Sequence, residues 1–326
     1  MNYLFHGFSQ KPPFSKLLFL LFIILVSFVV VTLVGLVVAI PFFGIGVLTN
    51  LEAFSNIQNE GAIVFIKYFQ VINQIGIFVV PAFLYACLEK NKPLSYLQLN
   101  RKINFQSFIF SVLIILSSLP AINWMVELNE QMKFPGFLSG LEAWMKETEE
   151  KTKQITDVFL KVNSIGGLLI NLLIIAFFAA LGEELLFRGV ILKLLTEWTR
   201  NIHWGIFLSA ALFSAIHMQF YGFLPRMALG VLFGYIFVWS GSLWIPIALH
   251  FIFNGITVVA SYLNNIGAIS IDPDSLGASS NTLVISISFT ISMVFLILLY
   301  REKGEINSTK LLEQKKEESP IEDSSL

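Results

Sequence analysis

From Leu17 to Ile40 the chain carries no charged side chain. A helix rises 1.5 Å per residue, so a run of this length crosses a bilayer core about 30 Å thick. The run is too long for the apolar part of a signal peptide, and it lacks a small-residue cleavage site. It reads as an uncleaved first helix behind Lys11 and Lys16. Similar runs follow, and together they predict eight spans, at 17–40, 62–88, 105–126, 165–192, 204–218, 223–239, 243–263 and 282–300. The apolar residues are continuous and do not alternate, which points to helices and not to a β-barrel. The expected fold is all-α, a polytopic membrane helix bundle of about eight transmembrane helices. Charged residues make up 13% of the chain, where a soluble domain carries about 25%.

The fifth and sixth runs are short for a bilayer, which suggests little tilt or a locally thinned membrane. Pro81 and Pro120 fall inside spans, where neighbouring helices must re-satisfy the freed backbone. Asn73 and Gln74, in the second span, read as interhelical hydrogen-bonding groups. A net charge of −1 gives no sign of a nucleic-acid partner. The single cysteine, Cys87, leaves no intramolecular disulfide and no CxxC-type metal site.

Four regions follow from this pattern. Residues 1–164 hold three spans and an external amphipathic loop, 165–263 the polar motifs, 264–300 a last loop and helix, and 301–326 a tail. The tail is rich in Glu, Lys and Ser and reads as disordered. The N-terminus, the 89–104 loop, the 188–203 segment and the tail hold 14 of the 21 basic residues. That bias places both termini in the cytoplasm. No organellar retrieval signal is evident, which suggests a bacterial plasma membrane. In the 127–163 segment, Phe134, Phe137, Leu138, Leu141, Trp144 and Met145 recur at helical spacing. They suit a helix lying in the interface, as a cover, lid or substrate guide. The charged run from Lys146 to Lys153 is solvated and carries no chemistry.

The motifs lie in the second half. Glu183 and Glu184 interrupt a run that is apolar from Ile165, and Arg188 follows Glu184 by one turn. An ionised group inside a bilayer costs roughly 2.5–3.5 kcal/mol on insertion scales. These three groups either snorkel at a helix end or are kept inside for a reason. Two isolated histidines in later apolar helices favour the second reading. His217 ends the fifth run, and His250 and Asn254 share one face of the seventh. Counted from the cytoplasmic helix ends at 1.5 Å per residue, Glu183 lies ~15 Å deep, His250 ~10 Å and His217 ~20 Å. Tilt can bring them together. Glu184 and Arg188 are spaced to pair, and Glu183 is then rotated by about 100° away from them. His6 and His203 stand at ends and read as solvent or interface residues.

One Glu, two His and an Asn suit two chemistries. A carboxylate beside an imidazole can activate water, with the second imidazole and the amide stabilising an oxyanion. Alternatively Glu183, His217 and His250 form a three-ligand zinc site with water as fourth ligand. No HExxH is present, so the usual zinc helix is missing.

Taken in order, Glu183-Glu-x-x-x-Arg188, Phe213-x-x-x-His217 and His250-x-x-x-Asn254 resemble the three motifs of the CPBP (CAAX protease and bacteriocin-processing, or Abi) intramembrane proteases. The eukaryotic relative removes the last three residues of prenylated CAAX proteins. The resemblance covers about residues 165–260, and no motif position departs from it. It implies an intramembrane endopeptidase acting on a peptide or membrane-protein substrate. By the same resemblance Glu183 and His217 hold the water, His250 and Asn254 stabilise the oxyanion, and Glu184 and Arg188 orient the site. The family has been described both as metalloproteases and as glutamic proteases, and the glutamic reading, with no metal or cofactor, is favoured over the zinc alternative. A transporter and a silent immunity or binding protein are the competing classes. The first requires paired broken helices, which are not found. The second requires a lost motif residue, and none is lost.

Overall fold

The computed structural model describes residues 8–49, 59–90, 92–132, 134–270 and 273–318. His6 lies outside them. Nine main helices organise the described residues. They are α1 (Pro13–Phe43), α2 (Gly61–Glu89), α3 (Phe105–Glu130), α4 (Ser139–Leu160), α5 (Ile165–Thr199), α6 (Ile202–Ala215), α7 (Phe223–Ser240), α8 (Trp244–Asn265) and α9 (Thr282–Glu318). Seven are long and apolar enough to cross a membrane, and α6 is a shorter apolar helix. The chain is an integral membrane helix bundle. Past its apolar part, α9 continues through Arg301 to Glu318, over most of the stretch read from composition as disordered.

Local sequence sets the helix ends. Asn59, Asn104, Ser164 and Asn201 each accept a hydrogen bond from a first-turn backbone N–H, starting α2, α3, α5 and α6. Gly241, at φ +68°, ends α7 in the left-handed conformation that glycine adopts without penalty.

The helices pack as two groups that share α7 and α8. One core joins α1, α2, α5 and α6 through Leu20, Phe78, Tyr85, Leu185, Phe187, Val190, Ile206 and Phe213. The other joins α3 and α9 to α7 and α8 through Ile114, Ile115, Phe233, Ile236, Leu249 and Leu299. Outward-facing Leu, Val and Phe side chains of α1 and α9 stay exposed, as they must where lipid is the solvent. Lys16 is fully buried and pairs with Glu89 at 2.9 Å and Glu197 at 3.2 Å, tying α1 to α2 and α5.

At Pro120, α3 loses a backbone donor, and Ser288 of α9 moves into the gap. Its hydroxyl donates to Ser117 O and accepts from Ala121 N. A neighbour thus re-satisfies the backbone, as expected for a proline in a span.

The amphipathic helix α4 leaves Phe137 just before it, and Leu141 and Trp144 within it, exposed. Its C-terminal end is fastened inside the bundle. Lys67 donates to Phe159 O at 3.1 Å and to Asn171 Oδ1 at 2.8 Å, and Asn171 also donates to Phe159 O. The intramembrane lysine therefore closes the end of α4.

Candidate active site

Glu183 and Glu184 lie on the α-helical stretch Ala179–Leu186 of α5, between π-helical turns at Leu172–Phe178 and Phe187–Ile191. Each π-turn inserts a residue and rotates the helix face beyond it, a distortion found often at functional sites. Both carboxylates point inward, Glu183 at 6% exposure and Glu184 at 0%.

Glu184 and Arg188 pair as their spacing predicts, Nη1 donating to Oε1 at 2.7 Å. Arg188 Nη2 donates to Gly230 O of α7 at 3.0 Å. Its guanidinium lies over the rings of Phe213 at 4.9 Å and Phe233 at 5.5 Å. A buried charge needs such partners on every side. The Oε1 atom of Glu184 also meets His250 Nδ1 at 2.9 Å. An ionised carboxylate can only accept, so Nδ1 of His250 carries hydrogen there and its Nε2 points the other way.

His217 reaches the same place from α6. That helix stops early, and Met218, at φ +54°, turns the chain through the left-handed region. A loop here would be costly in hydrocarbon, but its polar groups are engaged by protein. Asn129 of α3 donates to Phe220 O and accepts from Leu224 N, and Ser214 donates to Phe223 O. Tyr221 N donates to Glu149 of α4 at 3.2 Å. The short fifth and sixth runs are thus explained by a protein-satisfied loop between them. His217 Nδ1 bonds Phe213 O at 2.8 Å, which sends Nε2 toward α5.

The two imidazoles converge on one atom. Glu183 Oε2 is 3.8 Å from His250 Nε2 and 4.0 Å from His217 Nε2. Five of the six residues singled out from sequence therefore form one connected cluster. Asn254 lies one turn beyond His250, and its amide donates to Ile175 O at 3.4 Å, in the first π-turn of α5. His203 stands apart, exposed and bonded to Tyr235 at the start of α6. Among the described residues, no three His, Cys, Asp or Glu side chains are grouped to hold a metal ion.

Sequence reasoning missed several neighbours. Arg226, in the first turn of α7, donates to Gln219 Oε1, and its charge acts on Glu183 and Glu149. Gln74 of α2 lies against Gly182, the residue before Glu183, its Oε1 3.2 Å from where a Cβ there would stand. The Oδ1 of Asn73 and the Oε1 of Gln74 are buried without a hydrogen-bond partner, so neither oxygen makes the interhelical bond expected of it. A polar pair in an apolar run was the available signal, but which helix it faces is a tertiary fact.

Comparison with known proteins gives the same region. Residues 165–256 match the family model described as type II CAAX prenyl endopeptidase Rce1-like, in keeping with the motif resemblance. Glu183, Glu184, Arg188, His217, His250 and Asn254 all fall inside the match. The chain is also similar to the uncharacterized protein YpbD of Bacillus subtilis (strain 168), 30% identical over 97 residues. That alignment covers 28% of this chain and 44% of the relative, so the chain spans less than half the length of the curated relative it matches. No solved structure matches it.

Proposed function

We propose that this chain is an intramembrane endopeptidase that hydrolyses a peptide bond with a water activated by Glu183. What carries the reading is the approach of two imidazole Nε2 atoms to one carboxylate oxygen, at 3.8 and 4.0 Å. His217 Nδ1 faces a carbonyl, which only accepts, so its neutral ring presents a lone pair at Nε2. A lone pair and a carboxylate oxygen repel unless hydrogen lies between them. A water bonded to both at about 2.8 Å would fit a 4.0 Å separation with an angle near 90°.

In the proposed reaction the water oxygen attacks the carbonyl carbon of the peptide bond. One water proton passes to Glu183, while His217 orients the other. The carbonyl electrons move to oxygen, and the oxyanion is held by His250 Nε2–H and the second N–H of the Asn254 amide. His250 does this as an imidazolium, its Nδ1–H anchored on Glu184. Arg188 keeps Glu184 charged and in place. Collapse breaks the C–N bond, and Glu183 returns its proton to the leaving amine. A carboxyl group and an amine result, with no covalent intermediate.

No metal or other cofactor enters this scheme. The partners are a peptide or membrane-protein substrate and the lipid bilayer, with no nucleic acid. Cytoplasmic termini and a bacterial plasma membrane belong to the same proposal, resting on the basic-residue bias and the similarity to a Bacillus protein.

The test uses purified full-length protein in lipid nanodiscs and a degenerate pool of apolar peptides. His217→Ala and His250→Ala should abolish cleavage and leave the protein folded. Asn254→Ala should lose about 10²–10³-fold, as one oxyanion donor does. Activity should fall in acid, as a carboxylate that serves as general base takes a proton. Chelators should not inhibit. One zinc per chain, lost in both histidine variants, would overturn the metal-free scheme and make Glu183, His217 and His250 ligands.

A further inference from the structure

The segment that joins α2 to α3 carries Lys90, Lys92, Arg101 and Lys102 and no acidic residue. All four are exposed. Two carboxylates stand at the same end of the bundle, Glu89 at the end of α2 and Glu197 near the end of α5. Both are turned to Lys16, at 2.9 and 3.2 Å. The cations of the segment are left without them.

A further cation lies against this segment from α5. Lys193, one turn before Glu197, donates from Nζ to Tyr96 O. Its ammonium lies over the ring of Tyr96 at 4.6 Å and that of Phe237 at 5.5 Å. A carbonyl and two ring faces attract a cation but carry no net charge. Among the described residues no carboxylate pairs with Lys193. Lys16 and Arg188, the other cations on the α1–α5 side, each have one.

The segment is also built to meet lipid. It connects two spans, so it lies at the membrane boundary. Leu94, Ile103 and Phe105 are exposed and alternate with its basic residues. Apolar side chains that enter the acyl boundary, beside cations that stay among the headgroups, mark an interfacial surface. Trp244, at the start of α8, donates its indole N–H to Leu99 O at 2.9 Å, and indoles favour this depth. The backbone is fixed in advance. Ser242 Oγ donates to Arg101 O and Leu243 N to Gln98 O, both at 3.3 Å. We propose that this surface binds the phosphate headgroup of an anionic glycerophospholipid, with Lys193 beneath it and Lys92, Arg101 and Lys102 at its rim. The buried Leu97 joins the site to the bundle. It packs on Gly189, where a Cβ would come within 2.8 Å of Leu97 Cδ2, beside Arg188. A lipid held here therefore braces α5 and the α7–α8 turn together.

The test takes full-length protein purified with equal amounts of phosphatidylglycerol and phosphatidylcholine, with bound lipid counted by native mass spectrometry. Phosphatidylglycerol should be retained in preference. In detergent it should raise the melting temperature where phosphatidylcholine does not, because a ligand of the folded state stabilises it. Salt should shrink the preference. Each cation near a charged lipid surface contributes about fivefold in binding. Lys193→Met should therefore weaken phosphatidylglycerol retention about fivefold, and Arg101→Gln with Lys102→Gln about 25-fold. Lys193→Arg should preserve it, as should Lys151→Gln on the exposed face of α4. The Arg101/Lys102 pair is exposed, so its variant decides the matter if Lys193→Met does not fold. Equal retention of the two lipids, or unchanged retention in that pair variant, would overturn the proposal. Inorganic phosphate raising the melting temperature as far as phosphatidylglycerol would also overturn it, and would assign these cations to a soluble anion. None of these readouts depends on peptide cleavage.

Discussion

One oxygen of Glu184 takes two partners, Arg188 at 2.7 Å and His250 at 2.9 Å, while the carboxylate is wholly removed from solvent. The arrangement holds only if its charges balance. Arg188→Ala would leave Glu184 buried beside Glu183 with no guanidinium, and would free the carbonyl of Gly230 as well. Breaking a buried pair in this way costs roughly 3–5 kcal/mol. We expect Arg188→Ala to melt at clearly lower temperature in detergent and to lose activity, measured by thermal unfolding of the purified protein. Unchanged melting would mean that the pair contributes as little as an exposed one. The Glu184–Arg188 pair was legible in the sequence because both residues lie on one helix, where a spacing of four fixes their approach. The bond from His250 was not, because it joins residues 66 apart through the docking of α8 on α5. The sequence could offer His250 only as a polar group needing some partner.

Between α6 and α7 the contact runs through small residues. Gly230 and Gly234 stand one turn apart on α7. A Cβ on Gly230 would come within 2.9 Å of Ala210 Cβ, and one on Gly234 within 2.8 Å of Ile206 Cγ2. This is the small-xxx-small packing that lets membrane helices approach closely. Here it also sets the chemistry, since Gly230 O receives Arg188. Gly230→Ala should destabilise by about 1–3 kcal/mol, as overpacking does, and should lower activity alongside melting temperature. Wild-type values for both would show that α6 can yield without disturbing Arg188. The π-turns flanking Glu183 were not legible in the sequence, because nothing in Leu172–Phe178 or Phe187–Ile191 distinguishes them from ordinary helix. They follow from which face of α5 the neighbouring helices cover. The early stop of α6 was legible as a short apolar run, but its cause, a loop held by Asn129 and Glu149, lies in two distant segments.

Over the whole molecule, hydropathy was enough to give the order of the apolar helices, seven of them long enough to span and α6 shorter, because burial in lipid demands long uncharged runs. It could not say which helices touch, since lipid-facing and protein-facing surfaces are equally apolar. The bundle gathers its polar groups from both halves of the chain. α5, α6 and α8 bring the carboxylates and imidazoles, α7 the carbonyl and aromatic ring that receive Arg188, α2 the Gln74 side chain against Gly182, and α3 and α4 the contacts that hold the His217 loop. Glu183 stands at the meeting point of these elements, and the account rests on its acting as a base. The most direct test compares purified wild-type and Glu183→Gln protein in lipid nanodiscs against a degenerate pool of apolar peptides, with new chain ends read by mass spectrometry. The account predicts cleavage products from the wild type and none from Glu183→Gln, whose amide keeps the shape of the side chain but cannot take the proton, at unchanged thermal stability. Products formed at the same rate by both proteins would contradict it.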